Sequence, residues 1–306
     1  MNDVSIIGGI TADIEGNPYN QLIQGDSNPG KITMSYGGVG RNITENLARM
    51  GIPANFVSVA GDDFAGRGAI RELSELGVNV DHVKLLQEEN TAVYMSILNL
   101  LGDMELALCN MDVLERISID FIEEAYETIM TSRVIGIDTN LTEETLDYVT
   151  QKLKNVPIFL DPVSVTKAER AKRIIGRFHT IKPNRMEAEI LAGMPIMCQE
   201  ELEKAGQWFI DQGVKRVFIT LGPGGVYYKE DGVSGIIRPK NGEIVSATGA
   251  GDAFSAAILY SHLEGFDIKK TAETGTAAAA IAMSSKSAVN SQMSRELLRQ
   301  TLGEEL

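Results

Sequence analysis

The sequence is poor in the residues that staple or metallate small folds. Among 306 residues only two are cysteine and three histidine. Cys109 and Cys198 lie far apart without CxxC spacing, so neither a disulfide framework nor a zinc site is expected. Both thiols read as small hydrophobes, and a reducing, cytoplasmic setting is the expectation. His82, His179 and His262 are scattered, with no partner at metal-ligand spacing. Positive charge is short as well: 28 Lys and Arg stand against 42 Asp and Glu, a net charge of −14. That balance argues against nucleic acid as a partner, because phosphate neutralisation needs many cations, and against an anionic membrane surface. Long apolar runs are missing too. The first nine residues have no basic flank and their apolar run is too short for a secretory signal. No stretch approaches the roughly 18 apolar residues of a membrane span. The richest, 276–283, is Ala-rich with polar borders and reads as a buried helix.

What is present is an ordinary globular composition, 43% hydrophobic and 23% charged, without repeats or low-complexity linkers. Short Val/Ile/Phe runs at 4–7, 56–59, 134–137, 158–160 and 217–221 predict strands buried on both faces. Amphipathic segments at 43–50, 69–76, 119–130, 143–153 and 200–211 predict the helices between them. This alternation points to a doubly wound α/β domain. Two segments break it: 13–35 has glycines, prolines and few helix formers, and 91–109 alternates like a hairpin turning at Gly102-Asp103. They predict a second, small sheet covering a site on the main one. Trp208 and Phe209 fall in an amphipathic helix and read as core.

Three glycine- or proline-led clusters could carry chemistry. Thr248-Gly249-Ala250-Gly251-Asp252 follows an extended stretch, 242–246, and opens an apolar helix at 253–263. Small residues there let backbone N–H groups approach an anion at the positive end of the helix dipole. Asp252 beside such an anion makes sense as a proton acceptor in phosphoryl transfer; read alone, it is equally a first-turn Asp that complements the dipole. Gly37-Gly38-Val39-Gly40-Arg41-Asn42 opens another helix, and Asn42 offers a donor and an acceptor to a sugar hydroxyl. It is neither a Walker A loop nor GxGxxG, and a tight turn with a solvated Asn42 explains it equally well. Pro183-Asn184-Arg185-Met186-Glu187 has capping-box spacing, the simpler reading, or sets Glu187 near a magnesium-bound water. Gly222-Pro223-Gly224-Gly225 joins two apolar strands as a hairpin turn or a nucleotide shelf. Asp13 and Asp161 follow strands, where open α/β sheets place ligand contacts, although capping also explains them. Gly8-Gly9-Ile10-Thr11-Ala12-Asp13 lacks the third glycine of a dinucleotide fold and leads into a loop, which disfavours an oxidoreductase.

Together and in this order, the clusters resemble the signatures of the ribokinase-like family of carbohydrate and nucleoside kinases. The Gly37–Asn42 cluster is similar to its first signature, Thr248-Gly249-Ala250-Gly251-Asp252 to its second, and Asn184 with Glu187 to its Asn-x-x-Glu element. The likeness covers nearly the whole chain. Asp26-Ser27-Asn28-Pro29-Gly30-Lys31, Glu89-Asn90-Thr91 and Asp161-Pro162-Val163-Ser164 with Lys167 are similar to the family's pseudouridine kinase subgroup. The resemblance implies a three-layer α/β/α, Rossmann-like kinase domain spanning 1–306, with a β-sheet lid from about 13–35 and 89–112. It also implies ATP and Mg²⁺, and transfer of the γ-phosphate to the ribose 5′-hydroxyl of a nucleoside, pseudouridine in that subgroup. Asp252 would be the general base, and the amides of Gly249, Ala250 and Gly251 an anion hole. Asp13, Gly38 and Asn42 would hold ribose hydroxyls, with Thr91, Tyr94 and Lys167 nearer the base of the nucleoside. Asn184 and Glu187 would organise phosphates and, through water, the metal; Thr220, Gly222 and Gly225 would line the nucleotide side. Many members carry an Asp in a monovalent-cation site where this chain has Ser246, so potassium dependence is not implied. Another sugar or nucleoside acceptor, or a non-catalytic nucleoside sensor, are the alternatives. Unpaired edges of the lid suggest a homodimer formed through it.

Overall fold

The structure is a computed structural model that describes residues 3–239 and 244–304. The chain starts with β1 (Val4–Ile7), β2 (Thr11–Pro18) and β3 (Gly30–Gly37), then α1 (Val39–Arg49), β4 (Ala54–Gly61), α2 (Phe64–Glu75) and β5 (Asn79–Leu86). A hairpin follows, β6 (Ala92–Leu98) and β7 (Met104–Asn110), and then α3 (Ile119–Ile129), β8 (Val134–Asp138), α4 (Glu143–Lys152), β9 (Ile158–Asp161) and α5 (Val165–Ala168). The last part contains β10 (Thr180–Ile181), α6 (Arg185–Ala192), α7 (Gln199–Gln212), β11 (Arg216–Thr220), β12 (Val226–Glu230) and β13 (Val233–Ile237). Three helices close it: α8 (Ala250–Glu264), α9 (Ile268–Met283) and α10 (Arg295–Leu302).

The main sheet has nine strands in the order β13-β12-β11-β10-β9-β8-β1-β4-β5, parallel from β11 through β5 with β12 and β13 antiparallel. The strands formed by the apolar runs, β1, β4, β8, β9 and the middle of β11, are buried on both faces as those runs predict, whereas the edge strands β5 and β13 are partly exposed. Along β1, Val4 and Ile6 join one core with α1, α2, α8 and α9, whereas Ile7 joins the other with α3, α4, α6 and α7. Chain order reverses between β1 and β8, the switch point at which open α/β sheets bind ligands beyond their strand ends. The Ala-rich stretch is the second half of α9, and a Cβ at Gly275 would lie 2.5 Å from Phe254. Small residues there let α9 press against α8, which is buried through Ala253–Ser261 and sits between α1 and α9.

The second sheet has four strands in the order β3-β2-β6-β7. The segment after Gly8-Gly9 therefore enters a strand, not the expected loop. Cross-strand partners share a face, which makes the sheet two-sided. One face carries the row Met34, Ile14, Met95 and Leu108, and beside it Ile32, Ile97 and Leu106. The other carries the row Ser35, Asp13, Tyr94 and Cys109. The expected alternation of β6 thus holds in sequence but not in burial, because Met95 is exposed while Ser96 is buried. The thiols also correct the sequence reading. Cys109 and Cys198 are both exposed, since the sheet that carries Cys109 covers no core of its own and Cys198 is the N-cap of α7. Phe209 is core, and among the described residues no helix is long and apolar enough to cross a membrane.

Candidate active site

The site is built where β1 and β8 end. Gly38, the N-cap of α1, takes a φ of 97°, and a Cβ there would lie 2.4 Å from the Gly9 carbonyl oxygen. Glycine is required on both counts, conformation and space. It lets the first turn of α1 rest on the end of β1. Asp138, the last residue of β8, pins that approach: one carboxylate oxygen accepts from the amides of Gly9 and Gly40 at 2.9 Å each, the other from Asn140 N. Burial pushes the Asp138 carboxyl up, against the pull of those hydrogen bonds.

From α1, Asn42 donates its Nδ2 to Asp252 Oδ2 at 2.8 Å, joining residues 210 positions apart. Asp252 sits in the first turn of α8 behind Gly249, which is left-handed with a φ of 79° and abuts the Ala288 carbonyl. Ala250 and Gly251 complete that turn. Burial pushes the Asp252 carboxyl up to about 7, with the Asp161 charge adding to it; the Asn42 hydrogen bond and Lys182 oppose the rise. Of the stretch expected to be extended before this motif, 242–243 lie outside the described residues, and 244–246 belong to no strand. The Ser246 hydroxyl accepts from Thr248 N.

Lys182 is the cation at the centre. Its Nζ lies 3.2 Å from Asp161 Oδ2, which also accepts from Ser255 Oγ at 2.7 Å. Burial alone would depress its ammonium, yet Asp161, Glu187 and Asp252 together hold it above the ordinary lysine value. The other oxygen of Asp161 accepts from the amide of Val163, a non-glycine residue at a positive φ of 64°. Such a conformation is uncommon for a β-branched residue. Asn184 and Glu187 form a complete capping box at the start of α6, so the simpler reading of that motif is realised in the structure. Glu187 is buried, and its carboxyl is pushed up by that burial and by Asp161. Thr220 bridges to Asn184, and beyond it an open groove of about 810 Å³ is lined by Asn184, Thr220, Gly222 and Arg238. That is room for a nucleotide-sized ligand. Gly225 is not in that lining; its φ of 93° turns it onto the Ile237 carbonyl.

On the polar face of the small sheet, Asp13 accepts from the Thr11 hydroxyl at 2.8 Å, its carboxyl raised by burial and lowered by Thr11 and Arg41. Tyr94 stands opposite it with its hydroxyl on Met104 Sδ. Lys167 reaches Asn140 Oδ1 at 2.5 Å, its ammonium lowered by burial and raised by Asp138. Thr91 is placed differently: its hydroxyl and amide both bind Asp63, the N-cap of α2, so its side chain ties β6 to the body at the root of the sheet. The structure thus gathers Asp13, Gly38, Asn42, Lys167 and the start of α8 at one end of the sheet.

Compared with known proteins, the chain matches the pfkB family carbohydrate kinase description over residues 1–295. It belongs to that family. It is 35% identical over 292 residues to the pseudouridine kinase of Escherichia coli, covering 95% of this chain and 93% of that one. A solved structure from Clostridium perfringens is 31% identical with a TM-score of 0.88, covering 99% of this chain and 96% of that one. The Arabidopsis thaliana ribokinase, solved with ribose and ATP, shares the fold at a TM-score of 0.86 and 22% identity, with full coverage of both chains. This kinase is a sugar or nucleoside phosphotransferase with an alcohol group as acceptor, on a ribokinase-like α/β fold.

Sequence reasoning missed Asp138, Asn140, Lys182 and Ser255. Asp138 was within reach of the rule that selected Asp13 and Asp161, for it too ends a strand, one residue past the apolar run 134–137. Lys182 precedes the Pro183-Asn184 motif and had no signal beyond that adjacency.

Proposed function

We propose that this kinase moves the γ-phosphate of ATP onto the 5′-hydroxyl of pseudouridine. The observation that carries the reading is the 2.8 Å contact between Asn42 and Asp252, which joins the two glycine-led helix starts into one site. The 35% identity to a pseudouridine kinase supports the choice of acceptor. Asp252 takes the hydroxyl proton as the new O–P bond forms and the bond to the β-phosphate oxygen breaks, releasing ADP. The first turn of α8, from Gly249 to Gly251, offers its amides to the developing charge. Asp13, Gly38 and Asn42 hold the ribose, the small sheet acts as a lid bringing Tyr94, and Lys167 with Asn140 faces the base of the nucleoside. Thr91 anchors that lid. Asn184, Thr220 and Gly222 line the nucleotide groove.

Among the described residues no cluster of three or more His, Cys, Asp or Glu forms a metal cage. Mg²⁺ keeps several waters and takes few protein ligands, so a carboxylate acting through water can serve it. Glu187 spends a bond from each oxygen inside its capping box and retains lone pairs that a metal-bound water could use. The ion, when bound, neutralises phosphate charge. Two exposed thiols without a disulfide suit a reducing, cytoplasmic compartment.

The test is a substrate panel with purified protein, ATP and Mg²⁺. Pseudouridine is expected to give a kcat/KM about tenfold or more above uridine, inosine, adenosine and ribose, since a site built for particular polar groups rejects analogues lacking them. A better rate on any of the others reassigns the acceptor within the family, and nucleoside binding without turnover would make the protein a sensor.

The apolar face of the lid supports the homodimer. Ile32 is 75% exposed and Leu108 67%, in a contiguous patch with Met34, Met95 and Leu106. Patches of this kind mark interaction surfaces, and a second copy would cover it with an identical face. Light scattering is expected to give a dimer, and Leu108→Lys a monomer. A monomeric unsubstituted protein overturns the assignment.

A further inference from the structure

Arg41 has no place in the scheme above, yet it is buried at its centre. We propose that Arg41 is a positioning residue, whose guanidinium fixes which end of the Asn42 side-chain amide faces Asp252. The proposal rests on the reading of Asp252 as the base. Arg41 Nη1 donates to Asn42 Oδ1 at 3.2 Å, and on the other side Asn42 Nδ2 donates to Asp252 Oδ2 at 2.8 Å. A guanidinium has only donors and an ionised carboxylate only acceptors, so the amide between them has one satisfactory orientation. Without the cation, the amide is free to turn its oxygen towards the carboxylate or towards a substrate hydroxyl. With the cation in place, each end of the amide keeps one further hydrogen-bonding position, an N–H and a lone pair, for a sugar hydroxyl.

The guanidinium is itself held from two helices. Nη1 pairs with Glu45 Oε2 at 2.5 Å and Nη2 with Glu72 Oε2 of α2 at 3.0 Å, while Glu45 is shared with Arg49. A line of side chains thus runs Arg49, Glu45, Arg41, Asn42, Asp252, from the outer end of α1 to the phosphate-facing turn of α8. Both Arg41 and Glu45 are buried. Stability alone does not call for such a pair, because apolar residues of similar volume usually serve as well. The Arg41 Nε is moreover buried without a hydrogen-bond partner among the described residues.

A double-mutant cycle on turnover tests this. Arg41→Met is expected to lower kcat by about tenfold or more and Asn42→Ala at least as much. The double variant should match Asn42→Ala within about twofold, since Arg41 acts only through that amide. KM for the nucleotide should stay unchanged throughout. Losses that multiply in the double variant overturn the proposal, as does an Arg41→Met enzyme with unaltered kcat. Arg41→Lys is carried through the same cycle. Its single ammonium keeps a charge near Glu45 and Glu72, so it supplies the answer if the Met variant melts below the assay temperature. Asp252→Asn keeps the two readings apart. Full turnover in that variant removes the base assignment, whereas lost turnover with a multiplicative cycle removes only the role of Arg41.

Discussion

Replacing Asp252 by Asn is expected to cut turnover by about 10²–10⁴-fold, the usual worth of a positioned proton acceptor, with nucleotide affinity nearly unchanged. Asn is the informative substitution because its side-chain oxygen can still accept from Asn42 Nδ2, so the contact between α1 and α8 survives while basicity is lost. Single-turnover kinetics and calorimetric titration of ATP separate the two effects. The unsubstituted enzyme carries a second signature of the same group. Burial, reinforced by Asp161, raises the carboxyl to about 7. A base works only when ionised, so kcat should stand on a plateau at alkaline pH and fall as pH drops through about 7. A profile flat down to pH 5, or a fully active Asn variant, would remove Asp252 from the reaction.

Loss of Lys182 should be the most damaging change to folding. Its ammonium is fully buried and faces Asp161, Glu187 and Asp252. Lys182→Met leaves those carboxylates without their cation, and breaking a buried pair from one side costs about 3–5 kcal/mol. Coulomb attraction in a low-dielectric interior is the reason: the remaining carboxylates keep hydrogen bonds from Ser255, Asn42 and Asn184 but no opposite charge. The melting temperature is expected to fall by roughly ten degrees in a chain of this size. Where the variant remains folded, Asp252 loses a neighbour that lowers its proton affinity, so the acid limb of the kcat profile moves to higher pH. Melting curves and pH profiles read both. A variant with the original melting temperature would show that the carboxylates are satisfied without Lys182.

These two residues divide in how far they could be foreseen. Asp252 stood in a motif whose glycines announce a helix start open to an anion. Lys182 follows a strand so short that β10 spans only Thr180–Ile181, and it is buried among Asp161, Glu187 and the first turn of α8, which come from distant parts of the chain. Burial also separates Thr91 from Tyr94. Thr91 immediately precedes β6 and Tyr94 lies in it, yet one is drawn to Asp63 at the root and the other stands opposite Asp13, a difference no alternation in sequence records.

The parallel sheet, the helices between its strands, the small hairpin-built sheet and the glycine-led helix starts were all determined locally. A run of β-branched residues, a periodicity of apolar positions or a glycine at positive φ expresses a preference of its own backbone and nearest neighbours, and these survive translation into structure almost unchanged. The meeting of Asn42 with Asp252, the pinning of Gly9 and Gly40 by Asp138, the enclosure of Lys182 among acids and the burial of Arg41 were decided by tertiary structure. Each depends on the environment of a charge or an amide, which exists only once distant segments have packed and excluded water from between them.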